Sequence, residues 1–272
     1  MMRHALTALA SLAVLGSARV AYADDVPAAP PAPAALPAPA AQPAPAAKLS
    51  AQEILDKMDR TNNGFTDQTM EMALTVRDVD GSKKTYEFTM HQKGDAKRLL
   101  LFSSGEMKGM ATLVEDRNSV YVYLPGFKKV RRVTANTMSQ GFAGSDMTND
   151  DMAITAWGKG WTPTLEKEDE TGYWVSLTPK PEEKTDYTRV IHKIDKGHFG
   201  QMETHYFKGK ELVKKLVCSK NQDFGNGVRH NMHVEVTDPR TGHATIMETK
   251  AFRFNQGLKD DLFTVRQLQW GK

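Results

Sequence analysis

Thr69-Met70-Glu71-Met72-Ala73-Leu74-Thr75-Val76-Arg77 sets Met70, Met72, Leu74 and Val76 against Thr69, Glu71, Thr75 and Arg77. Alternation with a period of two puts one face of an extended strand in a core and the other in water. Asp80-Gly81 follows, a pair that tolerates the positive backbone angles of a tight turn. Tyr86, Phe88 and Met90 then resume the same period over 85–91. Strands over 69–78 and 85–91 joined in this way form an antiparallel hairpin.

Outward from this hairpin the pattern recurs at 97–103, 111–115, 119–124 and 128–134. After a break it returns at 173–178, 187–195, 201–207, 211–219, 229–237 and 244–254. Turn signals such as Lys208-Gly209-Lys210 and Asn226-Gly227 separate the runs, and short connections make consecutive strands antiparallel neighbours. So many strands in meander order, with little helix, predict a mainly β protein. Its expected form is a single, highly curved antiparallel sheet making an incomplete β-barrel, with short helices as plug and lid. A curled sheet of this size has an interior, and what fills it decides the function.

Two helices are expected. Ser50-Ala51-Gln52-Glu53 has the form of a capping box, Ile54, Leu55 and Met58 follow on one face, and Asn62-Asn63-Gly64 ends the segment. Thr148-Asn149-Asp150-Asp151 caps a second, running through Met152, Ile154 and Trp157.

The N-terminus bounds the setting. Residues 1–23 read as a cleaved signal peptide: Arg3 is its positive region, an apolar run follows, and Ala21-Tyr22-Ala23 is the cleavage site. Arg3 and Arg19 leave with it, so the formal charge falls from +3 to +1, which gives no argument for nucleic acid. No cysteine follows the cleavage site closely enough to carry a lipid anchor, and no later run is long enough to span a bilayer as a helix. A soluble periplasmic monomer is expected. Residues 24–48, mostly Ala and Pro, read as an extended tether; a partner-binding proline tract would carry flanking aromatic and basic residues. Residues 49–272 are the folded domain. Cys218 is the sole cysteine, so no internal disulfide holds it and core burial must.

Catalytic signatures do not emerge. There is no Gly-x-Ser-x-Gly elbow, no phosphate-cradling glycine loop and no His-Glu-x-x-His. His192, His198 and His205 are close in sequence, but without the tight spacing and carboxylate support of a zinc site they read as solvent-facing or hairpin-end histidines. The expectation is a protein that is not an enzyme, with no catalytic residue, metal or cofactor.

The distinctive constellation is central. Lys128, Lys129, Arg131 and Arg132 surround Val130, and Gly141-Phe142-Ala143-Gly144-Ser145-Asp146-Met147 leads into the second helix. One reading is a solvated basic strand followed by a glycine-rich turn. The other is a segment folding over the open side of the sheet, with the basic strand as a rim for an anionic headgroup; both can hold together. Met107, Met110, Met138, Met147 and Met152 cluster around this loop, either as core gap-fillers or as a surface that repacks around varied apolar guests.

Lys129-Val130-Arg131-Arg132-Val133, Gly144-Ser145-Asp146 with Asp150-Asp151, and Phe254-Asn255 with Asp260, Leu262 and Phe263 together resemble the outer-membrane lipoprotein-sorting family. More narrowly the likeness is to its LolA-like branch, associated with inner-membrane exporters of the resistance-nodulation-division type. It extends over 49–270, although Gly-Ser-Asp-Met-Thr-Asn replaces the branch's aromatic Gly-Ser-Asp-Phe-Ser/Thr-Tyr. The resemblance implies an incomplete barrel whose apolar cavity holds the acyl chains of a lipid or lipoprotein crossing the periplasm, with an inner-membrane exporter and an outer-membrane acceptor as partners. On that reading Met72, Leu74, Val76, Phe88, Leu99, Leu101, Leu113 and Val122 line the cavity. Gly141, Phe142, Gly144, Met147, Met152 and Trp157 form the lid, and Lys128, Lys129, Arg131 and Arg132 the rim. A non-carrying envelope adaptor is the alternative.

Overall fold

The hairpin is the first step of one continuous ladder. In the computed structural model, which describes residues 48–270 apart from 117, 135–139, 155 and 226, β1 (Asp67–Arg77) pairs antiparallel with β2 (Lys83–Lys93). Met70 faces Met90, Met72 faces Phe88 and Leu74 faces Tyr86, so the alternation puts all six on one side. Gly81 turns the chain at φ +84°. The signal-peptide reading, the Ala/Pro tether, Met138 and Asn226 lie outside the described residues.

β3 (Lys97–Phe102), β4 (Ala111–Asp116), β5 (Ser119–Leu124) and β6 (Lys129–Arg132) continue the meander in one direction. β7 (Trp161–Glu168), β8 (Gly172–Pro179), β9 (Arg189–Asp195), β10 (Gln201–Lys208), β11 (Glu211–Asp223), β12 (Arg229–Thr237) and β13 (Ala244–Phe254) form the other half. The halves join where β13 pairs with β1, from Gln68 opposite Phe254 to Arg77 opposite Ala244. The result is one 13-stranded antiparallel sheet that does not close, with β6 and β7 as its free edges. These edges are consecutive in sequence, so the described residues between them belong to the connection from one free edge to the other.

The alternation in β7 is short, with only Trp161, Pro163 and Leu165 set against Thr162 and Thr164. Pro163 and the charged Glu166-Lys167-Glu168 suppress the signal, and an edge strand tolerates both because one side of it needs no ladder donor. The helix expected from 148 to 157 is also shorter: α2 spans Asn149–Ala153, and Ile154 is already extended at ψ 114°. α1 (Ala51–Asn63) keeps its expected limits, with the Ser50–Glu53 capping box closed in both directions. α3 (Val265–Trp270) ends the described chain.

One apolar cluster draws Leu74, Phe88 and Leu100 from β1–β3 together with Leu177, Val190, Tyr206, Leu216 and Val236 from β8–β12. Residues of both halves share it because the sheet curls around it. α1 plugs the inner face with Ile54, Leu55 and Met58, all fully buried. A second cluster on the outer face gathers Leu99, Ala111, Leu113 and Tyr123 under Phe263 and Leu268 of the C-terminal segment.

Candidate functional site: a trough closed by a strap

Residues 141–154 and 156–158 lie across the inner face as a strap. It begins with a small hairpin in which Gly141 bridges Thr148 and the Phe142 N–H donates to the Met147 carbonyl at 2.6 Å. Its turn residues Ala143 and Gly144 both have positive φ, +60° and +71°, and glycine meets that requirement at the second position without steric cost. The turn sends Phe142 and Met147 into the main cluster, where the Phe142 ring lies 5.9 Å from that of Phe102. At the far end Trp157 packs between Trp161, His192 and Tyr206, at centroid distances of 5.3, 4.6 and 6.3 Å.

Carboxylates pin this strap at both ends and in the middle. Asp146 accepts the Thr245 hydroxyl at 2.7 Å while its own N–H donates to that oxygen at 2.8 Å, and His243 Nδ1 lies 2.8 Å from its other oxygen. In α2, Asp151 closes a capping box with Thr148 and also receives the Lys214 ammonium from β11. The Tyr187 hydroxyl donates to Asp151 at 3.1 Å and accepts from Lys214 at 2.5 Å. Thr185 donates to Asp150 at 2.8 Å. Asp59 of α1 collects the N–H groups of Trp157 and Gly158 at 2.9 and 2.7 Å. From β3, Arg98 donates to the carbonyls of Met152 and Ile154, each at 3.3 Å.

Burial sets the protonation of these groups. It holds the Tyr187 phenol far above its ordinary range, an effect the Asp151 charge reinforces. The Asp59 carboxyl is raised by desolvation, against the two backbone donors that favour its charged form. The Arg98 guanidinium is brought down to about 10 by burial, still cationic at neutral pH. His192, fully buried with Nδ1 2.7 Å from the Thr204 hydroxyl and no partner on Nε2, is pushed down to about 3. The sequence reading put His192 in solvent. Its parity with Val190 and Ile194, both fully buried, places it inside instead. His198 sits in the β9–β10 turn beside Asp195, and His205 pairs with Glu203. No group of three potential metal ligands gathers among the described residues.

The register sorts the expected lining residues into two sets. Leu74, Val76 and Phe88 are buried on the inner face, Met72 packs against them, and Val122 shares that face through Thr112 and Leu100. Leu99, Leu101 and Leu113 point the other way and pack beneath the C-terminal segment. The run of three leucines at 99–101 hides its own parity; Leu100 is the inward one, opposite Met90. The strap residues Phe142, Met147 and Trp157 are buried in the main cluster with Met152 at its margin, while Gly141 and Gly144 serve the hairpin turn. Lys128, Lys129, Arg131 and Arg132 are exposed at the β6 edge. Sequence reasoning missed Lys214, whose parity with the buried Leu216 on β11 was the available signal, and Asp59.

Two spaces adjoin the strap. A cavity of about 240 Å³ near α1 is lined by Met70, Met90, Arg98, Trp157, Leu216 and Met247 among others. A cleft of about 770 Å³ lies between the β6 end and the loop after β8, with Arg132, Asp150, Lys184, Asp186 and Lys208 on its walls. Ligand pockets run roughly 300–1,000 Å³, so the inner cavity falls short of one while the strap is docked.

A family described only as uncharacterized-protein-like matches residues 94–270. No curated protein matches the chain. Among solved structures, a Vibrio parahaemolyticus domain assigned to an outer membrane lipoprotein-sorting protein is 20% identical, with a TM-score of 0.75 over 80% of this chain and 98% of its own. A DUF1329 family protein from Desulfovibrio piger is 24% identical at TM-score 0.75, over 80% and 97%. A LolA superfamily protein from Nitrosomonas europaea is 17% identical at TM-score 0.68, over 80% and 99%. The fold is thus LolA-like.

Proposed function

The chain belongs to the uncharacterized-protein-like family that matches residues 94–270, and we propose that it is a periplasmic carrier that takes up the acyl chains of a lipid or lipoprotein and transfers them across the envelope. One observation carries the reading: the apolar inner face is covered by a strap held through side-chain anchors, not by a second sheet. Such a cover can leave as a unit without breaking the strand ladder. The trough it exposes contains Met72, Leu74, Val76, Phe88 and Val122, with Leu100 in place of Leu99, Leu101 and Leu113.

Uptake exchanges one apolar cover for another. Lifting Phe142, Met147 and Trp157 gives up their burial, at about 1.5–3 kcal/mol for a large apolar side chain. Each acyl methylene that enters returns about 0.8 kcal/mol, so a chain of ordinary membrane length offsets the loss. Polar headgroup atoms fit the cleft beside the strap, where Arg132, Lys184 and Lys208 face Asp150 and Asp186. Release needs a partner with a better site. An exporter of the resistance-nodulation-division type on the inner membrane and an acceptor at the outer membrane fill the donor and recipient roles. Residues 1–23 act as leader, 24–48 as tether and 49–272 as a monomeric carrier domain, without catalysis.

The filled trough favours one rival, an envelope adaptor in which the strap never leaves. Native mass spectrometry of the chain purified without detergent separates them. A carrier shows lipid adducts, or acquires them when a Lys214→Met variant that frees the strap is mixed with lipid. A chain that stays empty in both forms ends the carrier reading.

A further inference from the structure

Two of the largest exposed apolar side chains occupy turns at one end of the β1–β6 half of the sheet: Val79 in the β1–β2 hairpin and Phe127 in the β5–β6 turn. Phe127 is 70% exposed. Its ring belongs to a 3-10 turn (Pro125–Phe127) that starts at proline and ends at Lys128 in the left-handed region, with the Lys128 N–H bonded to the Pro125 carbonyl. Proline fixes the backbone that presents the ring, so presenting it costs little further entropy.

A run of cations follows this ring along β6. Lys128, Lys129, Arg131 and Arg132 follow it directly and are all exposed, and none forms an ion pair among the described residues. Arg132 alone has a polar anchor, the Asn118 carbonyl. Lys108 lies on the adjoining turn, where a side chain added at Gly109 would stand 3.5 Å from the Pro125 ring. The acid of that turn, Glu106, is engaged with Lys84 at 3.4 Å. Charged residues on a free sheet edge also guard against edge-to-edge pairing, which accounts for Lys129, Arg131 and Arg132. It does not account for a bare aromatic ring at the apex.

We propose that the β5–β6 turn is a membrane-docking tip: Phe127 enters the interfacial layer of a bilayer while Lys108, Lys128, Lys129 and Arg131 hold anionic phospholipid headgroups. A single aromatic wedge with unpaired cations on both sides gives each element a partner at a lipid surface, apolar below and anionic around it. One ring and a few charges give reversible attachment, as a shuttling protein requires. The tip adjoins the carrier reading without depending on it, since docking needs neither an open strap nor a bound lipid.

The test is flotation of the full chain with vesicles of phosphatidylcholine, alone or mixed with phosphatidylglycerol, at low and high salt. Binding is expected on the mixed vesicles only and should weaken with salt. Phe127→Ser should weaken it about tenfold or more, and Phe127→Trp should restore it. Lys129→Glu and Arg131→Glu should each weaken it about fivefold or more. These residues are exposed on a turn and an edge, and unchanged thermal melts establish that the variants fold. Equal binding to both vesicle types, no binding at low salt, or binding indifferent to all three weakening variants overturns the proposal. So does capture of an acidic envelope protein by the tip without vesicle binding. An empty carrier that still floats would sink the carrier reading alone.

Discussion

Lys214 of β11 and Asp151 of α2 form an ion pair almost wholly removed from water, with 6% and 2% of their side-chain surfaces exposed. The Tyr187 hydroxyl completes the group, and the rings of Tyr187 and Tyr206 lie 5.1 and 4.8 Å from the ammonium. This pair ties α2 of the strap to the wall of the trough. A buried pair of this kind returns little net stability relative to an apolar pair of equal volume, because desolvation offsets the attraction. Its consequence is positional: α2 docks where the carboxylate meets the ammonium.

Removing one partner leaves the other charged and buried. Lys214→Met should destabilise the protein by about 3–5 kcal/mol and loosen the strap, raising the binding of an apolar dye. The double variant Lys214→Met with Asp151→Leu should recover most of the stability while losing the docking specificity. Denaturant melts of the two single variants and the double variant, combined as a cycle, measure the coupling. A coupling near zero would mean that the strap is held elsewhere.

The two faces of β2–β4 should separate stability from binding. Phe88→Ala on the inner face and Leu113→Ala on the outer face each remove buried apolar volume, at about 2–5 kcal/mol. Only the inner substitution reaches the trough, so only Phe88→Ala should change the amount or chain length of lipid recovered with the protein. Equal changes in lipid from both would place the ligand outside the trough.

How far these features could be read from sequence follows from parity. In 69–77 polar residues interrupt the apolar ones, so the alternation named the inward set directly. In Arg98-Leu99-Leu100-Leu101-Phe102 both faces are apolar because a core covers each, and the pattern loses its phase. The C-terminal segment that creates the second core is held by contacts far apart in sequence, which no local period records. β1–β13 pairing is of the same kind. The strap was legible as an acidic, glycine-bearing stretch, but its anchors on Lys214, Asp59 and Arg98 are tertiary. The motif Gly144-Ser145-Asp146 is therefore explained by structure: the glycine turns the hairpin, and the aspartate fastens it to Thr245.

Acid should unfold the protein through the buried His192 and the partly buried His230. His192 has a folded-state pKa of about 3 and an ordinary value of 6.5, because burial opposes its charge; His230 is lowered to about 4 for the same reason. A depressed value means that the unfolded chain takes up protons first. The stabilisation is complete above about pH 6.5 and is lost as the pH falls toward 3. For His192 it amounts to several kcal/mol, by roughly 1.4 kcal/mol per unit. His192→Gln, which keeps a polar group near Thr204, should flatten the decline between pH 6.5 and 4 in denaturant melts. An undiminished decline would assign it to other groups.

Asp67 should govern whether the outer core stays covered. Its carboxylate accepts the N–H groups of Gln256, Gly257 and Leu258 at 2.7, 2.9 and 3.1 Å, and its carbonyl accepts that of Asn255. Asn255, at φ +53°, returns its side-chain oxygen to the Thr66 N–H at 2.8 Å. Together they turn the chain out of β13 and lay Leu262, Phe263 and Leu268 over Leu99 and Leu113. Asp67→Ala strands three donors where the turn is partly buried. Hydrogen bonds to a charged acceptor contribute about 1.5–3 kcal/mol each, although neighbouring ones are not additive. The variant should lose about 2–4 kcal/mol, and amide exchange should quicken first across 256–268 while β8–β11 stays protected. Uniform acceleration across the sheet would instead make this turn part of the global unfolding unit, with the C-terminal segment held as firmly as the strands beneath it.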